Sequence, residues 1–253
     1  MPSLLLALAL LAADDGGLRF EGSVAAGGGY DTNLLVAPGE EGLGSAVASL
    51  TATGGAAIDL SDSAFLYLGA ALDTARFATL SDLDRTAAGA SASFLVDLVG
   101  PLALVLGSTA SYAWYTDPAR SGASITGRAT LRYRPVGWLT TRLGYAHVLR
   151  TARDPVYGSN LDRIFADVEF RLARATWISV GAFVERGELT FYTAATFEPY
   201  QAPATTVGVG LGFEQGLGGG FSVDLGATFR RTDTPDGTYA GPSATASVIW
   251  RWD

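Results

Sequence analysis

The sequence predicts an all-β fold: a single transmembrane, antiparallel, up-and-down β-barrel of 12 strands. Three observations predict it. Apolar residues recur at period two in segments of about ten residues bounded by turn signals. The connectors between those segments alternate in length, short then long. After Ala13 no window of 18 apolar residues occurs, so the apolar content is not gathered into a membrane helix.

The alternation is clearest in 123–134, "ASITGRATLRYR". One face carries Ala123, Ile125, Gly127, Ala129, Leu131 and Tyr133; the other carries Ser124, Thr126, Arg128, Thr130, Arg132 and Arg134. Segments 162–172 and 220–230 divide in the same way, with Ile164, Val168 and Phe170 opposite Arg163, Asp167, Glu169 and Arg171 in the first. The twelve segments run over 18–30, 44–60, 64–76, 86–98, 102–115, 123–134, 139–150, 162–172, 176–186, 204–215, 220–231 and 239–252. Short connectors fall at 61–63, 99–101, 135–138, 173–175 and 216–219; longer ones fall at 31–43, 77–85, 116–122, 151–161, 187–203 and 232–238.

Composition narrows the classes. Cysteine is absent and His147 is the one histidine, which excludes disulfides, thiolate metal sites and two-histidine metal motifs. All 17 basic residues are arginine, and 25 acids leave a net charge of −8, which argues against nucleic acid as a partner. The apolar stretch Leu4 to Ala13 has the length of a signal-peptide h-region, with "LAA" offering small residues for cleavage near Ala13. Residues 1–13 are therefore expected to be a signal peptide and 14–253 the barrel. No Lys or Arg precedes that stretch, so the amino terminus alone supplies its positive charge.

An even strand count with short turns at one end and long loops at the other is the pattern of an outer-membrane barrel with periplasmic termini. A soluble sandwich or lipocalin-like barrel also alternates. The number of segments, their uniform length and the aromatics near the ends of the apolar faces favour the membrane barrel. Threading the strands from a periplasmic start gives an outer belt of Tyr30, Tyr112, Trp114, Tyr145, Phe229 and Tyr239. The opposite belt holds Phe20, Tyr133, Phe170, Phe213, Phe221 and Trp250.

With these features the chain resembles the bacterial outer-membrane β-barrel, or porin-like, class over residues 18–252. The terminal "SVIWRW" (247–252) is similar to the strand that the barrel-assembly machinery recognises, which makes Trp250 and Trp252 the expected assembly signal. Asp253 departs from the pattern by following the aromatic. "GYDTN" (29–33) resembles the element ending the first strand in several porin-like families. The resemblance implies outer-membrane lipid, lipopolysaccharide, the assembly machinery and other envelope proteins as partners, and no cofactor.

Catalytic chemistry has little support in the residues. Outer-membrane phospholipases and deacylases of similar architecture pair His-x-Ser, but Leu149 stands two positions after His147. Ser159 and Asn160 are expected in the following loop, and Asp154 and Asp162 are the acids an omptin-like protease would need. His147 reads better as a girdle residue beside Tyr145, and the chain reads as a non-enzyme.

The inward parity collects the informative charges: Arg128, Arg132, Arg134, Arg142, Arg163 and Arg171 on segments six to eight, and Asp59, Asp73 and Asp97 on segments two to four, with Asp167, Glu169 and Glu185 beside the arginines. On separate arcs they would set a transverse field across the lumen. Paired with neighbours, Arg171 with Glu185 for instance, they would instead fill it. A 12-stranded barrel lies between filled and open sizes. Two readings are open: a small channel for polar or anionic solutes, or an occluded barrel anchoring an envelope assembly. Acidic loops such as "PGEEG" (38–42) and "TPDG" (234–237) are solvated turns or divalent-cation bridges to lipopolysaccharide. In "GGGYDTNLL" (27–35), Gly27 and Gly29 are expected to face the lumen and Tyr30 the lipid, while Asp31, Thr32 and Asn33 begin a loop.

Overall fold

The computed structural model describes residues 17–35, 43–192 and 198–252. The expected signal segment, "PGEEG", the side chain of Asn33 and Asp253 lie outside the described residues. The strands are β1 (Leu18–Leu35), β2 (Leu43–Ser61), β3 (Ala64–Phe77), β4 (Arg85–Val99), β5 (Leu102–Tyr115), β6 (Gly122–Val136), β7 (Leu139–Arg150), β8 (Ser159–Ala173), β9 (Thr176–Tyr192), β10 (Pro199–Gly218), β11 (Phe221–Thr234) and β12 (Gly237–Trp252). Each pairs antiparallel with its sequence neighbours, and β1 pairs with β12 from Gly22↔Trp252 to Asp31↔Ser243, which closes the ring. Closure satisfies every edge, as hydrocarbon requires.

The period-two pattern fixes which face is which. Leu50, Leu72, Leu106, Leu131, Leu143, Ile164, Val184, Leu211, Leu225 and Val248 are all exposed, and they lie on one parity of nearly every strand. A soluble protein does not leave a continuous apolar band of that extent in water. The band is the lipid-facing wall, and the opposite parity lines the lumen. Both ends of the barrel chain, Leu18 and Trp252, lie at the end with the short turns.

Several boundaries differ from the sequence expectation. The 187–203 connector is mostly strand: β9 and β10 continue as a hairpin with Tyr192 opposite Pro199 and Glu188 opposite Pro203. Its prolines suggest a loop, but β10 meets β11 only from Thr205 onward, so a missing N–H there costs no ladder bond. The 232–238 connector shrinks to a tight turn with Thr234 opposite Gly237. β1 continues to Leu35, so Asp31 does not begin a loop; it points into the lumen and pairs with Arg230 at 2.6 Å. Ser159 and Asn160 open β8 rather than sitting in a loop.

Tyr239 is a further correction. It is 6% exposed and packs with Phe191, Ala202 and Ala204 inside the barrel rather than in the outer girdle. β12 runs without a bulge from Tyr239 to Trp250, an odd step, so the two rings must lie on opposite faces.

Lumen aromatics settle onto glycines. A Cβ on Gly144 would collide with Cζ of Phe165, and one on Gly208 would collide with Cε1 of Phe183. Each ring thus lies over a cross-strand glycine, against the barrel wall. Gly144→Val would force Phe165 off the wall, at a cost of about 1–3 kcal/mol. The expected result is a lower temperature for the loss of the folded, fast-migrating form in unheated electrophoresis.

Candidate channel lumen

The lumen has two unlike walls. On β1, β2, β4 and β5 the inward positions at mid-barrel are short: Ser23, Ala25, Gly27 and Gly29, then Ser49, Thr51 and Thr53, then Ala87, Gly89, Ser91, Thr109, Ser111 and Ala113. Between them β3 adds Gly69 and Ala71 but also Asp73 and Tyr67, whose ring lies against Gly55 and Gly69. On β6 to β9 they are long: Arg128, Arg132, Arg142, Phe165, Arg163, Asp167, Trp177 and Phe183. A cavity of about 500 Å³ lies against the short wall, bounded by Asp73, Arg85, Ser91, Thr109 and Arg150. Another of about 640 Å³ lies against the long wall, bounded by Arg128, Arg163, Phe165, Phe183 and Glu185.

Most lumen acids hold an arginine. Arg19 pairs with Asp59 at 3.1 Å, Arg85 with Asp73 at 3.3 Å, and Arg132 with Asp97 at 3.8 Å. Arg142 bridges Asp167 at 2.8 Å and Glu169 at 3.1 Å; Arg163 holds Glu185 at 2.6 Å, and Arg251 holds Glu214 at 2.6 Å. The two-arc field therefore collapses into local pairs. Arg19 and Arg85 stand among the acids of the short wall, and three acids stand among the arginines of the long one. Arg171 does not pair with Glu185. It lies 5.7 Å from the Trp177 ring and donates to the Arg174 carbonyl at the periplasmic turn.

Among the described residues, Arg128, Arg134 and Arg171 have no carboxylate within salt-bridge range. Arg128 lies over the Phe165 ring at 4.2 Å, and Arg163 over Phe183 at 4.6 Å. Such stacking fixes a guanidinium at a net gain of about 0.5–2 kcal/mol while leaving its N–H edge toward water. Sequence reasoning missed these ring partners. The signal was Phe165 on the polar parity of its segment, where an aromatic has no lipid to meet.

Glu185 is the one buried acid among these pairs, at 9% exposure. Arg163→Met would leave that carboxylate without its partner, which typically costs about 1–3 kcal/mol. Thermal unfolding should fall accordingly, and Glu185→Gln in the same chain should restore much of the loss.

The outer wall carries the remaining sites. Tyr30, Trp114, Tyr145, Tyr133 and Trp250 are exposed on the lipid side, and Phe170 stacks with Trp138 there at 6.5 Å. Trp250 and Trp252 lie 5.0 Å apart on the outside of β12. His147 also faces out. Its Nδ1 lies 2.9 Å from Asp162, and the Tyr145 hydroxyl donates to the same carboxylate. Ser159 stands on the opposite face of its strand, opposite the inward Arg150, so it forms no dyad with His147. Asp154 caps the turn at Pro155–Tyr157 by accepting from the Val156 amide at 3.0 Å. At the outer rim the Tyr200 hydroxyl donates to Asp236 at 2.9 Å, and burial first, then that carboxylate, pushes it up to about 12.

No protein-family model matches the sequence, and no curated protein matches it. Solved structures do. An outer-membrane channel from Pseudomonas putida F1 is similar at TM-score 0.60 and 12% identity, over 95% of this chain and 98% of that one. The KdgM porin in complex with disordered oligogalacturonate is similar at TM-score 0.53 and 6% identity, over 91% and 99%. The NanC porin is similar at TM-score 0.52 and 8% identity, over 90% and 98%. At these identities the likeness is one of fold: the chain folds as a 12-stranded barrel of the bacterial outer-membrane, porin-like kind.

Proposed function

We propose that the barrel is a passive outer-membrane channel for small polar and anionic solutes. The observation that carries this reading is the short wall. On β1, β2, β4 and β5 the inward side chains at mid-barrel are glycine, alanine, serine and threonine, and on β3 the Tyr67 ring lies back against Gly55 and Gly69, so the filling would have to come mainly from the long wall. It does not, because its arginines are drawn back onto aromatic rings and neighbouring acids.

Local pairing makes the lumen nearly neutral: Arg128, Arg134, Arg150 and Arg171 stand outside the ion pairs, against Glu21, Asp224 and the second carboxylate at Arg142, and the slight positive excess favours anions. The likeness to porin and channel folds supports the same reading, as does the oligogalacturonate in the KdgM complex. In this reading the outward Trp250 and Trp252 of β12 serve as the assembly signal, and the outer wall meets lipid and lipopolysaccharide. His147 belongs to the girdle, sharing the Asp162 carboxylate at the rim with the Tyr145 hydroxyl, while Ser159 stands on the other face of its strand.

Liposome swelling tests the proposal. Vesicles holding the folded barrel should swell in small neutral sugars and faster in the matching sugar acids. Vesicles that stay impermeable to both would favour an occluded anchor.

A further inference from the structure

The outer mouth holds a second feature, whose role rests on the channel reading. Tyr192 and Phe191 are adjacent at the top of β9, yet their side chains reach opposite sides of the rim. Tyr192 is 7% exposed, and its hydroxyl accepts from Arg120 in the β5–β6 connector. Arg120 is itself anchored, paired with Asp117 at 3.2 Å and lying 4.3 Å from the Tyr157 ring. Phe191 is completely buried, with its ring 5.8 Å from Tyr239 on β12 and 6.0 Å from Tyr200. In a closed ring of 12 strands, the β5–β6 connector and β12 stand across the opening from each other.

Those contacts require the β9–β10 hairpin to leave the wall. Beyond Asn160↔Glu188 the strand β8 no longer accompanies β9, and β10 meets β11 only from Thr205, so no neighbouring strand of the wall flanks the hairpin. Gly187 sits at that departure with φ of +155°, and a Cβ there would collide with the Asn160 carbonyl. A side chain is excluded where the strand bends. The hairpin is then pinned along one face by Thr190, donating to the Val156 carbonyl at 2.7 Å, and by Gln201, donating to the carbonyls of Pro155 at 3.0 Å and Gly158 at 2.9 Å. Its other face carries Phe191 and Ala202 into the small core with Tyr239.

We infer that the β9–β10 hairpin is a strap across the outer mouth, and that Arg120, Phe191 and Tyr192 are the residues that set the size of solute admitted. Paired strands and a buried aromatic core make it a fixed bar rather than a floating loop. Solutes that fit the lumen below are therefore sorted before they reach it.

The test trims the strap and measures the size limit. Because Glu188 stands opposite Pro203, residues 189–202 can be replaced by Asn-Gly, whose turn closes a two-residue hairpin. A second variant, Phe191→Ala with Arg120→Gln, keeps the chain length and loosens both anchors. Heat-modifiable migration confirms folding of each. In bilayers with neutral polymers of graded size, the trimmed barrel is expected to conduct about twofold or more above the parent and to admit larger polymers. The double variant should shift the same way by less. Equal conductance and an equal size limit in folded parent and variants would overturn the strap and leave the channel reading standing. A silent parent with a conducting trimmed barrel would support the strap as a closure and overturn the open-channel reading. Silence of all three would overturn both.

Discussion

Replacing Ser91 and Thr109 together with tryptophan should cut single-channel conductance by about half or more. The two residues are direct cross-strand partners on β4 and β5, and both border the cavity of about 500 Å³ against the short wall. Neither donates to nor accepts from another described side chain, so little stability is at stake. Indole rings there would stand in the space that the short residues leave free, each presenting on the order of 200 Å² of surface. A conductance unchanged in folded protein would mean that ions do not pass along this wall.

Arg128→Glu should raise cation permeability about fivefold at low salt and lower anion permeability by a similar factor. One positive charge becomes negative beside the path, a change of two unit charges. Each contributes roughly 0.5 kcal/mol at about 8 Å in a water-filled lumen. The neighbouring pairs Arg142–Asp167 and Arg163–Glu185 are left intact, so the change should not spread. Arg128→Gln removes one charge only and should give about half the shift in free energy. Raising salt toward molar concentration should erase most of both effects, because screening then acts within about 3 Å. A reversal potential that ignores Arg128 would place the ion path away from the long wall. Arg142 would be a poorer test, because it is held between two carboxylates and its replacement would also leave both without their partner.

The barrel was legible in the sequence because its signal is physical and repeated. A strand with lipid on one side and water on the other must alternate, and segment 102–115 was bounded to the residue. Above the rim that constraint disappears. Strands β9 and β10 there answer to a small aromatic core, and their prolines and glycines read as loop until the pairing is seen. Tyr239 shows the other limit, since an aromatic near a strand end fits a girdle or a lumen plug and only unbroken register decides.

The charges were legible as a set but not as pairs. Parity alone placed Arg163 and Glu185 in the lumen, yet which acid each arginine takes depends on register between strands. Arg142 faces Asp167 directly across β7 and β8, whereas Arg171 lies one strand end too low to reach Glu185. The stacked positions of Arg128 and Arg163 depended on Phe165 and Phe183 lying over glycines of neighbouring strands, which no single segment reveals.

Planar-bilayer recording of the refolded, heat-modifiable protein tests the central claim most directly. Discrete, reproducible conductance steps are expected, with a modest anion preference that weakens as salt rises. Persistent silence from correctly folded barrels, over many insertions and both polarities, would contradict it.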